Sequence, residues 1–182
     1  MWPFAGLWSE ALSYDQFVKA STQHCGLWTG VYQTARVPEW AVEAAARLAG
    51  RYRLVVLAED WCGDATNTVP ILAKWAAQVP NVELRVLRRD EHPELMNRYL
   101  TGTARSIPVV IVLTEAMEEL GWWGPRPTEL QAWVRAERAR GREKKELYPE
   151  VRRWYARDRG AATLREVLAV MQPPGHTQDV AS

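Results

Sequence analysis

The stretch Arg53-Leu54-Val55-Val56-Leu57-Ala58-Glu59-Asp60-Trp61-Cys62-Gly63-Asp64-Ala65 constrains this chain more than any other. An apolar run of strand length ends in a polar turn, and from Thr66 onward Val69, Leu72, Ala73, Ala76 and Val79 recur at helical spacing. A buried strand therefore hands over to a helix at Cys62. Such a junction is expected to expose the sulfur and turns the unpaired N–H groups of the helix's first turn toward it, which favours thiolate over thiol. Glu59, Asp60 and Asp64 bring negative charge and act in the opposite sense, so the residues alone leave the sign of the shift open.

A strand over 82–87 follows the Pro80-Asn81 break, and a strand–helix–strand unit makes a right-handed crossover with the two strands parallel and adjacent. Strand 53–59 is apolar at nearly every position and is expected at the centre; 82–87 alternates and is expected near the edge. Pro93 opens a short helix over 93–100. The run Ile107-Pro108-Val109-Val110-Ile111-Val112-Leu113 is a proline followed by a β-branched strand, a position where proline is tolerated and where a cis bond would have a reason. A hairpin around 114–117 leads to a last, antiparallel strand over 118–123. Gly124-Pro125-Arg126-Pro127 then launches a helix over 128–140.

Before the first strand, 9–26 reads as one helix capped by Ser9 or Ser13 and stopped by Gly26, with His24 and Cys25 in its last turn. A second helix runs from Pro38-Glu39 to Leu48, with Trp40, Ala44, Ala45 and Leu48 facing inward. Beyond Gly141, two amphipathic helices separate near Gly160. The expected division is 1–50 as a helical segment packed on the core, 51–141 as the core, 142–171 as a helical extension and 172–182 as a disordered tail.

Several function classes are disfavoured. Three scattered histidines and two cysteines offer no metal-ligand spacing, and two cysteines do not make a disulfide scaffold. No apolar run approaches the ~18 residues of a membrane span, and the apolar first residues lack the basic flank of a signal peptide, so the expected compartment is the cytoplasm. Net charge is +1, but residues 135–166 carry 11 basic and 6 acidic side chains. A solvated helix face accounts for that excess, and no nucleic-acid motif accompanies it.

Trp61-Cys62-Gly63-Asp64-Ala65 after a strand, Pro70 eight residues beyond Cys62, and Ile107-Pro108-Val109 before a β-branched strand resemble, in that order, the thioredoxin-like superfamily. Gly121 or Gly124 matches the glycine before the family's last helix. The resemblance implies an α/β three-layer fold: a mixed four-stranded sheet in the order 2-1-3-4, flanked by helices, with extra helices at both ends. It also implies a cis bond at Pro108. The family's second motif cysteine is replaced by Ala65, and its buried acid falls at Val56, so dithiol reduction is not implied.

What the resemblance implies is a reactive-thiol position at Cys62, and the chemistry open to one thiol there is single-thiol exchange. Trp61, Gly63, Asp64, Ile107 and Pro108 would form the substrate groove, and Arg105 would stand near the sulfur. A thiolate that attacks a disulfide needs a second thiol for release: a low-molecular-weight co-substrate, or Cys25 as a resolving thiol if the N-terminal helix folds back over the active face. A cysteine beside an apolar helix stripe is otherwise a small buried residue. Asp64 reads as a first-turn acid that complements the helix dipole. Expected partners are protein or small-thiol disulfides, with no cofactor, metal, nucleic acid or membrane; the alternative is a redox-inactive module that grips a polypeptide in the same groove. Of Trp122 and Trp123, one is expected in the core and the other toward solvent or the C-terminal helices, with cover by residues 147–171 the preferred reading.

Overall fold

In the computed structural model, which describes residues 2–172, the sheet contains four strands: β1 (Tyr52–Ala58), β2 (Val82–Arg88), β3 (Val109–Thr114) and β4 (Glu119–Trp123). Their order is β2-β1-β3-β4, with β1 and β2 parallel and the remaining pairs antiparallel. The tail expected from residue 172 lies, from 173 on, outside the described residues.

Position in the sheet follows apolar content. Leu54 through Ala58 are fully buried, as are Val109 through Leu113, and these two strands are central. The alternating β2 takes the edge, with Glu83 exposed. The helix α5 (Gly63–Ala76) connects β1 to β2 and carries the buried Val69, Pro70, Leu72 and Trp75. Pro70 lacks the N–H that would close the ladder there, and the helix continues through it.

The N-terminal region departs from the expected single helix over 9–26. It forms α1 (Phe4–Glu10), α2 (Tyr14–Ala20) and α3 (Cys25–Thr34), followed by α4 (Glu39–Ala46). The break falls at Leu12, whose N–H and C=O both bond to Val86 at 2.9 and 2.8 Å, so this backbone serves the outer edge of β2 instead of a helix. Ser13 then caps α2 in a reciprocal capping box with Gln16. Gly26, expected as a stop, lies in the first turn of α3, and Cys25 opens that helix instead of ending one. In α4 the buried positions are Ala41 and Ala45, while Trp40 lies 5.0 Å beneath the Arg165 guanidinium.

After β2 the chain passes α6 (Pro93–Met96), four residues shorter than expected, and reaches β3. The C-terminal region comprises α7 (Thr128–Ala139), α8 (Lys144–Asp158) and α9 (Ala161–Met171). The α9 side chains Leu164, Val167, Leu168 and Met171 join the main core, whereas Leu130, Val134, Leu147, Val151 and Tyr155 make a separate small cluster between α7 and α8. The tryptophan pair is corrected accordingly. Trp123 is the residue under the C-terminal helices, its Nε1 donating to Glu166 at 2.7 Å, and Trp122 stays 36% exposed with its ring edge on Tyr99.

Candidate functional site

Two chain segments meet at Cys62. The first is the β1–α5 turn: the N–H of Cys62 donates to the Glu59 carbonyl at 3.1 Å and its C=O accepts from Thr66 at 3.0 Å, which makes Cys62 the N-cap residue of α5. The second is the approach to β3, where the Ile107–Pro108 peptide is cis, as the resemblance implied. The Cys62 thiol donates to the Ile107 carbonyl at 3.4 Å. Gly124, at φ 137°, closes the far side, because a Cβ there would stand 2.1 Å from the Pro108 carbonyl oxygen. Of the two glycines, this is the one that packs on the proline; the Gly124–Pro125 peptide is also cis.

The carboxylates around this turn are directed away from the sulfur or neutralised. Asp60 accepts the N–H groups of Thr22 and Gln23 at 2.7 and 3.1 Å, and Trp28 Nε1 donates to its carbonyl, tying the turn to the start of α3. Burial works to raise the Asp60 carboxyl, but these two donors outweigh it and the result is a lowered pKa. Glu59 accepts from the Asp90 N–H at 2.9 Å and sits 3.6 Å from Arg88, yet burial still raises it.

Asp64 occupies the first turn of α5, the position expected of a dipole-complementing acid, but its oxygens are committed elsewhere. Arg126 grips them through Nε at 2.8 Å and Nη2 at 2.6 Å, and the Tyr155 hydroxyl donates at 3.0 Å. The three side chains join the first turn of α5, the start of α7 and the end of α8. Burial works against the Arg126 charge, and Asp64 more than offsets it, so its pKa is raised. The Tyr155 hydroxyl is pushed well above its usual value by burial and then by Asp64.

Cys62 is buried, 8% exposed, and not open as the strand–helix junction alone predicts, because the approach to β3 covers it. Burial, followed by the Asp64 charge, pushes the Cys62 thiol up to about 11; the N–H groups of Ala65 and Asp64 and the ammonium of Lys144 pull in the other direction and do not prevail. The bond to Ile107 acts in the same sense as burial, because only a thiol can donate to a carbonyl.

A cavity of about 190 Å³ opens over Cys62, lined by Trp61, Gly63, Asp64, Ile107, Arg105 and Lys144 among others. Trp61 forms its lip, 40% exposed, with the Arg89 guanidinium 4.9 Å from the ring centre. Arg105 lies at the mouth with Nε on Asn97 at 2.9 Å, and the cations that act on the thiol are Lys144 of α8 and Arg126. Neither Lys144 nor Arg126 was singled out from the sequence, because the contacts that matter join residues 62 or more positions apart from Asp64 and no local pattern marks them.

A second cavity of about 360 Å³ shares Trp61, Gly63, Asp64 and Tyr148 with the first and continues along Leu27 and Val31 of α3. Leu27, Trp61 and Tyr148, three of the large apolar side chains left exposed, border it together. Cys25 is exposed, donates to the Ser21 carbonyl at 3.3 Å and lines neither cavity; both cysteines are free. Among the described residues no group of three His, Cys, Asp or Glu side chains is placed to hold a metal ion, and no helix is long and apolar enough to cross a membrane.

Comparison with known proteins agrees with this geometry. No curated protein matches the chain. Among solved structures, a protein of unknown function from Pseudomonas aeruginosa is 25% identical, with a TM-score of 0.73 over 94% of this chain and 98% of its own. An HIV epitope-scaffold is 24% identical, with a TM-score of 0.70 over 92% and 96%. A family model described as thioredoxin matches residues 11–141, beginning within the N-terminal helices and ending just before α8. That match spans well over half of the sequence, and the chain belongs to the thioredoxin family.

Proposed function

We propose that the protein carries out single-thiol disulfide exchange through Cys62, which rests as a protonated thiol and ionises as it reacts. The observation that carries this reading is the placement of one sulfur between the N–H groups of Asp64 and Ala65 and the main chain of Ile107, beneath an aromatic lip and open to a cavity. The Cys62 thiolate attacks one sulfur of a disulfide, the old S–S bond breaks, and the departing thiolate takes up a proton. A low-molecular-weight thiol then attacks the mixed disulfide, a new disulfide leaves and the Cys62 thiol is restored, so no net oxidant is needed. Ala65 supplies no internal resolving sulfur, and Cys25 opens α3 outside both cavities, so the second thiol comes from solution. The main chain before Pro108 and the apolar shelf of Trp61, Leu27 and Tyr148 would seat an extended partner.

A high-pKa thiol is a poor leaving group, so expulsion of the Cys62 sulfur from the mixed disulfide is the slow step of this cycle and needs an excess of the low-molecular-weight thiol. The natural substrates would be disulfides presented in a reducing compartment such as the cytoplasm. The same thiol pKa of about 11 and the 8% exposure of Cys62 favour a second reading, a redox-inactive groove that binds a polypeptide. Turnover of a small mixed disulfide in the presence of excess thiol separates them. The exchange reading expects Cys62→Ser to lose all protein-dependent turnover and Cys25→Ser to retain it; equal turnover by the wild type and Cys62→Ser would leave only the binding reading.

A further inference from the structure

The charges at the Cys62 cavity do not balance. Asp64 is the one carboxylate lining it, and that carboxylate is taken by Arg126. Arg89 is matched by Asp90 at 2.8 Å. Arg105 has only the neutral Asn97 as a side-chain partner, and Lys144 has no ion pair among the described residues. Arg152, in the adjoining cavity, is also without one among the described residues. Glu143, next in sequence to Lys144, is engaged by Lys145 at 2.8 Å and caps α8; Glu59 and Asp60 are held by Arg88 and by the Thr22 and Gln23 amides. Two surplus cations, Lys144 and Arg105, therefore line the opening, with Arg152 in the adjoining cavity and no carboxylate but the engaged Asp64 in the lining. The floor is a sulfur, and the space of about 190 Å³ is that of roughly six waters, enough for a group the size of one amino acid.

We propose, building on the exchange reading above, that the Cys62 site selects disulfides and thiols that carry a carboxylate close to the sulfur, with Lys144 and Arg105 receiving that carboxylate. Whether the carboxylate belongs to a small thiol or to an acidic side chain beside a polypeptide cysteine, the recognising chemistry is the same. Cations on the rim of a low-dielectric recess concentrate an anionic substrate and orient its sulfur, and this contribution is screened by salt.

The test uses the full chain carrying Cys25→Ser, so that Cys62 is the one thiol. It is incubated at matched concentrations with the symmetric disulfides of 3-mercaptopropionate and of cysteamine, which carry opposite charge, and with that of 2-mercaptoethanol as a neutral control. Adduct formation on Cys62 is followed by mass spectrometry. A fourth arm uses a short peptide disulfide flanked by glutamates, to separate a polypeptide source of the carboxylate from a small one. At low salt the anionic reagent should react at least about tenfold faster than the cationic one, and the ratio should fall toward unity near 1 M salt. Lys144→Glu combined with Arg105→Gln should slow all three reagents, because the thiol loses a cation that favours its ionisation, and should abolish or invert the anionic-to-cationic rate ratio once each rate is divided by that of the neutral reagent. Equal rates for all charges, with Cys62 labelled by each, would overturn the carboxylate selection and leave the exchange reading standing; no adduct with any reagent would overturn the exchange reading itself.

Discussion

Both cysteines of this protein stand at the start of a helix, and the two sites have almost nothing else in common. Cys25 is the first residue of α3, exposed, its thiol resting on the Ser21 carbonyl one turn back. Cys62 caps α5, is 8% exposed, and rests on a carbonyl 45 positions away. A helix N-terminus by itself favours a thiolate, so a reading that stops at the local junction treats the two alike. At Cys62 burial and the Asp64 charge win over the helix amides, and the thiol is pushed up to about 11. The lesson is that long-range packing, here the β3 approach and the α7–α8 cluster, decides what the local junction can do.

The largest expected effect on this contrast comes from alkylation at neutral pH. A thiol near pKa 11 has about 300-fold less thiolate than a free cysteine near 8.5, and its greater intrinsic nucleophilicity returns only about tenfold. Iodoacetamide at pH 7 should therefore modify Cys62 at least about 20-fold more slowly than a free cysteine. Modification of Cys62 as fast as a free thiol would dissolve the distinction between the two sites.

Asp64 and Arg126 allow the contrast to be moved in opposite directions. Asp64→Asn removes the charge that raises the thiol and leaves the Arg126 cation beside it, so Cys62 should alkylate about tenfold faster at pH 8. Arg126→Met leaves Asp64 unpaired and should slow it further. Both break a buried pair and should cost on the order of 3–5 kcal/mol in denaturant unfolding. Rates that move together in the two variants would show that loosening, not charge, controls the sulfur.

Gly124→Ala probes the wall behind Pro108. A Cβ placed 2.1 Å from the Pro108 oxygen, at a φ that only glycine adopts easily, should cost on the order of 3 kcal/mol and should raise access to Cys62 while leaving Cys25 unchanged. The smallest effect belongs to Asp60, which ties the two helix starts together. Asp60→Asn weakens the acceptor of the Thr22 and Gln23 amides and should cost roughly 1–2 kcal/mol. Because the folded pKa of Asp60 is lowered, its contribution is present above the ordinary carboxylate value and is lost as pH falls below about 4. Acid titration of wild type against Asp60→Asn should converge there; a gap that persists at pH 2 would show that the stabilisation is not ionic.

Much of the fold was legible because its signals are local. The apolar run of β1, the alternation of β2 and the β-branched run after Pro108 predict the strands, the family resemblance implies their order, and the observed sheet agrees with both. The N-terminal helices were misjudged because Leu12 exchanges helical bonds for a bridge to Val86, a choice made by the sheet edge and not by the sequence around residue 12. At the site, Trp61, Cys62 and Ile107 come together around one cavity, while Pro108, expected in the groove, is buried and packs against Gly124 instead of lining that cavity. The roles of Arg126, Lys144 and Tyr155 were not visible. They arrive from the far end of the chain, and an arginine in Gly124-Pro125-Arg126-Pro127 gives no sign of which carboxylate it will meet.

The account's central claim, exchange by a thiol that is buried and protonated at rest, is tested most directly by the pH dependence of mixed-disulfide formation at Cys62 in the Cys25→Ser protein, with the 2-mercaptoethanol disulfide as reagent and mass spectrometry as readout. The predicted result is an adduct on Cys62 whose rate rises about tenfold per pH unit from 7 to 10 without levelling, while circular dichroism shows the fold intact. An adduct that forms only once the protein unfolds, or a rate that levels off near pH 8, would contradict it.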